Sequence, residues 1–370
     1  MFADYAATVS AVEATGFTKA PSIYAGNMNT PNTEAFSHNP EWMVATSNTA
    51  VKDAVDNKRP FFLYHAPTIP HGPSPDTELA RFSIGDTPYG KIGEKSITDA
   101  AGNFPSRASI ERDVAAMGIT DAREKSAAVG ALAVDHSLGS IMGTLTDLGV
   151  LDNTLIIVTM DHGQISKDEV YEGGTRVALM ARYPPKFQAG STFDVAVSNL
   201  DIAPTILDAL GVLGSTSLQL DGLSWWKHAQ GKGDSALEAR PCIVSEIDEK
   251  RAVVCGKWKI ISNVGDADGA KDYLPHSILA ETFYDLDADP QEQNNLLGAD
   301  GKGAALTDAQ AKVVAGLRAY LACHDKETAR DGTTSCDLAA LGDPVNPCKD
   351  TCTVKHTARG NRWKRSGAYP

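Results

Sequence analysis

Apolar residues recur at two different spacings in the first half of the chain, and the spacings predict helices and strands. Residues 41–57 and 124–148 follow helical spacing, and Gly149 is a candidate C-cap for the second helix. Continuous apolar runs of strand length occupy residues 61–64 and 154–160. Such runs are typical of buried strands in a parallel sheet. The segment between them, residues 76–108, is predicted to be mostly loop, because Gly, Pro, Asp and Ser are scattered along it.

The second half begins with the same alternation and then changes character. A third strand is predicted at residues 177–183, and a short helix follows at 201–210. The pattern predicts an α/β fold with a doubly wound, mostly parallel sheet flanked by helices. A smaller C-terminal α+β subdomain at 214–325 and a Cys-containing, loop-rich tail at 326–370 would follow a first domain at 1–213. The elements predicted in the subdomain are strands at 243–246, 252–255, 258–261 and 282–285, and a helix at 308–322.

Composition excludes several classes of protein. The 370 residues are 42% hydrophobic and 22% charged, which is an ordinary globular composition and excludes wholesale disorder. The net charge of -13 argues against a nucleic-acid partner, because such proteins usually present a basic face. No apolar run approaches the roughly 18 residues that span a bilayer. The first seventeen residues show neither the basic region nor the apolar stretch of a signal peptide.

Cysteine usage indicates an oxidising compartment. Four of the six cysteines lie in the last fifty residues, at Cys323, Cys336, Cys348 and Cys352. These cysteines could form a zinc site, which would be the more specific interpretation, but no C-x-x-C or C-x-x-H pair is present. Two disulfides that stabilise a poorly packed tail are therefore favoured, and reduced cysteines are the remaining alternative.

Three segments at predicted strand ends carry residues of catalytic type. His71 follows the first strand, although a lone histidine beside prolines is more often structural. Asp161 and His162 follow the second strand, and an adjacent carboxylate and imidazole suit a divalent metal, although Asp-His-Gly also occurs as an ordinary turn. Lys167 and Arg176 offer anion contacts around two glycines that permit close backbone approach.

The order and spacing of these segments, together with others along the chain, resemble the sulfatase family of the alkaline-phosphatase-like superfamily. The matching blocks cover nearly the whole length in the order that the family shows. In chain order they are Pro-Phe-Phe-Leu-Tyr at 60–64, Ala-Pro-x-x-Pro-His-Gly-Pro at 66–73, Val-Asp at 134–135, Leu-Gly-x-Leu-Asp-Asn-Thr at 148–154, Asp-His-Gly at 161–163, Tyr-Glu-Gly-Gly-Thr-Arg at 171–176, Asp-Ile-Ala-Pro-Thr at 201–205, Asp-Gly at 221–222, Gly-Lys-Trp-Lys at 256–259, Tyr-Asp-Leu-x-x-Asp-Pro at 284–290 and Glu-x-x-Asn-Leu at 292–296.

The resemblance implies roles for four side chains. Asp161 and His162 match the pair that completes a calcium site, where the cation neutralises sulfate oxygens. The imidazole departs from all-oxygen ligation, which leaves Mn²⁺, Zn²⁺ or Mg²⁺ as less favoured alternatives. His71 and Lys167 match residues that contact the sulfate ester and stabilise charge in the transition state. Glu172 and Arg176 match positions with a structural role.

The family nucleophile is not found in this sequence. It is a cysteine or serine in C-x-P-S-R, matured to formylglycine, and none of the six cysteines is followed by x-Pro. The nearest text is Asn-Phe-Pro-Ser-Arg at 103–107, which has Asn in place of the Cys and falls after His71, so we interpret it as coincidence. The first strand of the family, with its Asp-Asp metal pair, is missing too. We therefore expect an N-terminally truncated piece of a sulfatase; a complete non-catalytic relative is the alternative.

The expected function follows from the resemblance. It is divalent-metal-dependent hydrolysis of a sulfate ester, either a small aryl sulfate or a sulfated carbohydrate, without turnover in this chain as given. A phosphodiesterase or phosphonate hydrolase of the same superfamily would use the same frame, and a non-catalytic protein that binds sulfated ligands is a third possibility. The cysteines and the habits of the family imply a secreted, periplasmic or lysosome-like location. Sequence does not distinguish among substrates, because fold does not determine substrate.

Overall fold

The structure, a computed structural model, divides the chain into two units, Met1–Thr154 and Leu155–Pro370. It describes residues 5–24, 38–72, 74–163, 165–233, 237–238, 240–247, 250–262, 281–298 and 306–328. The predicted boundary at residues 213–214 lies inside the second unit and stays a prediction. Nearly all of the predicted tail at 326–370 lies outside the described residues.

Helices make up most of the first unit. The two long helices that the apolar spacing predicts are confirmed, as α2 and α6. A short antiparallel hairpin separates α3 from α4. The elements are α1 (Tyr5–Glu13), α2 (Pro40–Asp56), α3 (Pro75–Arg81), β1 (Asp86–Thr87), β2 (Gly90–Lys91), α4 (Glu94–Ala101), α5 (Arg107–Ala116) and α6 (Ala122–Asp147).

Both long helices have side-chain caps that explain where they begin. The Asn39 side chain accepts a hydrogen bond from the backbone N–H of Trp42 at the start of α2, and Asp121 accepts one from Glu124 at the start of α6. Gly149 ends α6 with a φ of 69°, the left-handed conformation that glycine adopts most easily. The C-cap residue itself is Leu148, so the glycine predicted as the C-cap stands one residue later and stops the helix from there.

The prediction that residues 76–108 are mostly loop is wrong. Helices α3 and α4 and the start of α5 occupy much of this segment. Ile97 and Ala101 lie one helical turn apart in α4 and are both buried, and the Ser106 side chain caps α5. The helices are too short for their apolar spacing to stand out among the glycines and prolines around them, so the turn-forming residues dominated the prediction.

The prediction of a buried strand at residues 61–64 is also wrong. The segment is extended, but within the described part of the chain it joins no ladder. Phe62 is 63% exposed and Tyr64 is 73% exposed. An apolar run indicates which residues can be buried, but a strand also needs a neighbouring backbone to pair with, and a local pattern does not specify that neighbour.

The second unit begins with an antiparallel strand pair. Strand β3 (Ile156–Thr159) pairs with β4 (Leu179–Arg182), so two of the predicted strands are confirmed. Their pairing is antiparallel, as is every ladder among the described residues. The parallel pairing predicted from the apolar runs is therefore not seen there. The short helices α7 (Glu172–Thr175), α8 (Ile202–Ala209) and α9 (Trp226–Ala229) complete this region.

A four-stranded antiparallel sheet forms the rest of the second unit. Its strands are β5 (Ile243–Ile247), β6 (Lys250–Cys255), β7 (Trp258–Ser262) and β8 (Glu281–Asp285), in that spatial order. Helix α10 (Asp308–Thr328) packs on it, and all five predicted elements are confirmed. The core between sheet and helix consists of buried apolar residues: Cys242, Val253, Cys255, Ile260, Phe283, Leu297, Val314, Leu317, Tyr320 and Leu321.

A disulfide joins Cys242 to Cys255 across the β5–β6 ladder. The pairing of Ile243 with Val254 places these neighbours opposite each other, with a Cα–Cα distance of 4.3 Å. The clustering of four cysteines near the C-terminus does not predict this bridge, which joins the other two cysteines. The two predicted tail disulfides involve Cys323, Cys336, Cys348 and Cys352. Cys323 is disulfide-bonded, and the other three cysteines lie outside the described residues.

Within the part of the chain that the structure describes, no helix is both long enough and apolar enough to cross a bilayer.

Candidate active site

Asp161 and His162 lie just beyond the end of β3 and have free ligating atoms. The Asp161 side chain is 86% exposed, and its Oδ1 accepts a hydrogen bond of 2.8 Å from the backbone N–H of His162. The Nδ1 atom of His162 lies 2.8 Å from the carbonyl oxygen of Gly163. Because a carbonyl can only accept, Nδ1 carries the proton, and Nε2 of a neutral imidazole then has a lone pair.

This arrangement fits one end of a divalent-cation site. Nε2 of His162 lies 3.5 Å from Oδ2 of Asp161, so a lone pair and a carboxylate oxygen face each other, and a cation between them would satisfy both. Calcium takes six to eight oxygen ligands, which is more than these two residues supply. No cluster of three or more His, Cys, Asp or Glu side chains suited to a metal occurs among the described residues. The metal and its identity stay predictions.

Three glycines bring the Asp161–His162 loop against the segment that carries Lys167. The Gly163 N–H donates to the Gly174 carbonyl over 2.9 Å. A Cβ on Gly163 would overlap the carbonyl oxygen of Gly173, and one on Gly174 would lie 2.7 Å from the Glu169 carbonyl oxygen. The two loops therefore meet backbone to backbone, which only glycine permits at these positions.

Lys167 sits at the exposed tip of a strained turn. The residues on either side of it, Ser166 and Asp168, have φ values of 59° and 64°. Left-handed conformations cost non-glycine residues about 1 kcal/mol or more each, and they persist only where surrounding structure holds them. The Glu169 N–H donates to the Ser166 carbonyl over 3.2 Å and closes the turn. The turn thus holds the Lys167 backbone in one conformation.

Buried ion pairs connect this turn to the four-stranded sheet. Glu169, whose side chain is buried, pairs with Lys250 of β6. Glu172, the first residue of α7, pairs with Lys259 of β7 over 2.8 Å. Lys259 also pairs with Glu292 over 2.9 Å. Glu172 therefore has a structural partner, as its family position implied.

Burial perturbs the titration of the groups around Lys259. It raises the pKa of Glu292, and the Lys259 ammonium offsets this effect only in part. It also raises the pKa of Tyr171 to about 12, with a further contribution from the Glu292 and Glu169 carboxylates. The pKa of Tyr284 is raised too, chiefly by burial. These shifts indicate a region with little water, where each charge depends on its protein partners.

His71 lies in the first unit. Its backbone N–H donates to the Thr68 carbonyl over 3.1 Å, and its Nδ1 lies 2.7 Å from the Gly72 carbonyl oxygen. The same reasoning as for His162 gives Nδ1 the proton and leaves the lone pair of a neutral ring on Nε2. The structure thus packs the Asp161–His162 loop against the backbone of the segment that carries Lys167, within the second unit. His71 belongs to the first unit.

The Asn-Phe-Pro-Ser-Arg segment at 103–107 has a structural role in the first unit. Arg107 makes a bidentate ion pair with the buried Glu41, at 2.6 and 3.0 Å. The same guanidinium donates to the carbonyls of Leu79 and Phe82. These contacts join α2 to the end of α3 and the start of α5, and they account for the arginine without any catalytic role.

Sequence reasoning did not identify the residues that anchor the Lys167 turn. Lys259 and Glu292 occur in blocks that matched the family, but no local pattern indicates that they meet Glu172 in space. Lys250 and Glu169 carried no signal at all. Contacts between residues so far apart along the chain need a tertiary structure or comparison among relatives to be found.

Family models match most of the described chain. The family model described as Sulfatase matches residues 5–212. The model described as N-sulphoglucosamine sulphohydrolase, C-terminal, matches residues 160–318. The first covers Asp161, His162, Lys167 and His71, and the second covers the four-stranded sheet.

Curated relatives show the same likeness over part of their length. The chain is 32% identical to N-acetylglucosamine-6-O-sulfatase of Bacteroides thetaiotaomicron over 183 residues, which is 45% of this chain and 30% of that protein. It is 27% identical to human arylsulfatase A over 282 residues, 69% of this chain and 48% of that protein. Human N-sulphoglucosamine sulphohydrolase is 30% identical over 190 residues, 45% of this chain and 36% of that protein. The chain spans about half the length of these relatives or less.

Solved structures show the fold. The chain superimposes on a 2-O GAG sulfatase with a TM-score of 0.53 and 17% identity, over 89% of this chain and 73% of that one. This likeness confirms the predicted fold class, an alkaline-phosphatase-like α/β fold with a C-terminal subdomain.

Proposed function

Because the chain belongs to the sulfatase family, we propose that its strand-end loops bind a divalent cation and a sulfate ester, and that the chain as given does not turn the ester over. The observation that carries the proposal is the close packing of the Asp161–His162 loop on the Lys167 turn through Gly163 and Gly174. This packing supports the proposal, because it would bring the proposed cation ligands close to the segment that carries the exposed Lys167.

Asp161 and His162 would hold the cation, with Ca²⁺ preferred. The free Asp161 oxygen is a hard ligand of the kind that Ca²⁺ prefers, and Nε2 of His162 has the lone pair that ligation requires. A bound cation would neutralise sulfate oxygens. The imidazole also suits Mn²⁺ or Zn²⁺, which keeps a phosphodiesterase of the same superfamily as the second candidate.

In the second unit, Lys167 would contact the sulfate; the family resemblance implies a sulfate contact for His71, which belongs to the first unit. The turn fixes the Lys167 backbone, so only the side chain has to be ordered when its ammonium meets an anion. Protonated His71 could donate to the leaving oxygen as the ester bond breaks. In a chain that also has the nucleophile, both residues would stabilise the negative charge that grows in the transition state.

We expect no turnover because the sequence lacks the nucleophile of the family. No cysteine in the sequence is followed by x-Pro, and Asn103 stands where the nearest match would need the cysteine. An amide does not add to sulfur as a formylglycine hydrate does. Arg107 of this segment is occupied by Glu41 and two carbonyls, which agrees with a structural role.

We favour a sulfated carbohydrate over a small aryl sulfate as the ester. Two relatives at 30% identity or more are named for sulfated glucosamines, whereas arylsulfatase A is 27% identical over a longer stretch.

Calorimetric titration tests the proposal. The wild-type chain should bind Ca²⁺ weakly, with a Kd on the order of 1 mM, because it offers few ligands. Asp161→Ala should weaken binding at least tenfold, and Asp194→Ala, a change at another exposed aspartate of the second unit, should leave it unchanged. Equal binding by all three proteins would contradict the assigned site.

Two activity assays complete the test. Hydrolysis of an aryl sulfate or of a sulfated glucosamine above background by the purified chain would overturn the absence of turnover. Phosphodiester hydrolysis with Mn²⁺ or Zn²⁺ would replace the sulfatase proposal by the second candidate.

A further inference from the structure

Lys259 is a buried cation that no element of the proposed chemistry uses. It is the second residue of β7, and its side chain is 0% exposed. Its ammonium lies between two carboxylates, 2.8 Å from Glu172 and 2.9 Å from Glu292. A buried charge is costly unless it is paired and hydrogen-bonded, so the position of each carboxylate depends on this lysine.

Glu292 makes a second contact that extends the network to the backbone. Its Oε2 accepts a hydrogen bond of 2.6 Å from the N–H of Glu172, at the start of α7. Glu292 itself has a φ of 57°, a conformation that costs free energy and is maintained here by these contacts. The side chain is buried as well. Lys259 and Glu292 therefore hold the first residue of α7 through both its side chain and its backbone.

Helix α7 in turn contacts both segments of the candidate site. Gly174 accepts from Gly163 next to His162. A Cβ on Gly174 would overlap the carbonyl oxygen of Ser166 and lie 2.7 Å from that of Glu169, so the Gly174 backbone runs closely past both sides of the Lys167 turn. A shift of Glu172 would thus be transmitted through a four-residue helix to the cation ligands and to the Lys167 turn.

We propose that Lys259 is a positioning residue: through Glu172 and Glu292 it sets the place of the Lys167 turn and of the Asp161–His162 loop, although it touches neither. The inference rests on the proposed function for one point only, that these loops bind the cation and the sulfate. A lysine that only stabilised the sheet would have no selective effect on the two loops.

Hydrogen exchange measured by mass spectrometry tests this on the full chain. Lys259→Met removes the charge and keeps an unbranched side chain. At a temperature where near-UV circular dichroism shows the variant folded, exchange in residues 161–176 should rise at least tenfold. Exchange in β5 and β6 should stay within twofold of wild type.

Lys257→Met is the matched control. Lys257 lies two residues away and pairs with Asp285 over 2.6 Å, but its side chain is 41% exposed. This variant should leave exchange in residues 161–176 unchanged. Equal exchange in the two variants would overturn the proposal, and so would a uniform rise across the second unit in Lys259→Met, because that result describes general destabilisation.

If Lys259→Met does not fold, Glu292→Gln tests the positioning role of Lys259 instead. The amide keeps an oxygen that can accept from the Glu172 N–H but loses the ion pair with Lys259. Exchange in residues 161–176 should rise about threefold or more, again without a rise in β5 and β6. No change there would overturn the proposal.

Ca²⁺ titration separates this inference from the proposed function. If the wild-type chain binds Ca²⁺, Lys259→Met should weaken the binding at least tenfold, and Lys257→Met should not; equal affinities would overturn the positioning role. If the wild-type chain binds no Ca²⁺, the proposed function fails, while the exchange pattern still supports or overturns the positioning of the loops.

Discussion

Replacing Gly163 by alanine tests how closely the two loops of the candidate site must approach each other. The added Cβ would overlap the carbonyl oxygen of Gly173 and lie 2.9 Å from its carbonyl carbon, whereas ordinary contacts begin at 3.4 Å. The obstacle is backbone, which cannot rotate away as the end of a side chain can. The loops must therefore separate, and the hydrogen bond from Gly163 to Gly174 is stretched or lost.

Two contributions determine how much stability the Gly163→Ala variant should lose. Overpacking of a close-packed site costs about 1–3 kcal/mol, and loss of a buried backbone hydrogen bond costs about 1 kcal/mol more. We expect the free energy of unfolding of the second unit to fall by about 3 kcal/mol. For a unit of this size that corresponds to a fall in Tm of roughly 6–12 °C.

Thermal unfolding followed by near-UV circular dichroism measures this loss. Gly214→Ala is the matched control, because an added Cβ there meets nothing within 4 Å, and its Tm should stay within about 2 °C of wild type. A loss below about 1 kcal/mol in Gly163→Ala would refute the reasoning, since it would mean that the loops can separate easily. Ca²⁺ binding should weaken in the same variant if the loops act as one site.

Two further predictions concern the sheet. Burial raises the pKa of Glu292 above its ordinary 4.5, so the folded chain binds the carboxyl proton of Glu292 more tightly than the unfolded chain does. The contribution of Glu292 to stability therefore falls as the pH rises from 4.5 through the pKa of the folded state. The stability of wild type minus that of Glu292→Gln, from urea unfolding, should therefore decrease over this window, and a constant difference would contradict the shift. The double change Cys242→Ala with Cys255→Ala opens a loop with a sequence separation of 13 and should lower stability by about 2–3 kcal/mol. Unchanged urea midpoints would show that the bridge does not restrict the unfolded chain.

Sequence pattern predicted the long helices well, because their apolar spacing repeats over several turns. The same holds for β5–β8, whose strands are short and bounded by turns. Residues 61–64 show the limit of this reasoning, since an apolar run carries no information about its pairing partner. Helix α4 shows another limit: Ile97 and Ala101 give only one helical repeat, and Gly and Pro nearby outweigh it.

The candidate site, too, could be predicted from the sequence only in part. Asp161, His162 and Lys167 could be singled out from motifs, because the first two follow a strand directly and Lys167 shortly precedes the Gly-Gly pair at 173–174. Their mutual packing could not, because it depends on Gly163 meeting Gly174 in space. Lys259 and Glu292 lie much farther along the chain than Glu172, and the sequence shows no charge pattern that pairs them. Only the folded sheet brings the three together.

The strained turn around Lys167 has a consequence for proteolysis. An exposed lysine at a loop tip is ordinarily a preferred site for trypsin, which binds its substrates in an extended conformation. Ser166 and Asp168 hold left-handed conformations instead, and Glu169 and Glu172 are tied to the sheet by buried ion pairs. The chain next to Lys167 can extend into a protease only when those ion pairs break. Trypsin cleavage after Lys167 should therefore be slow in the folded chain and should report how often the second unit opens.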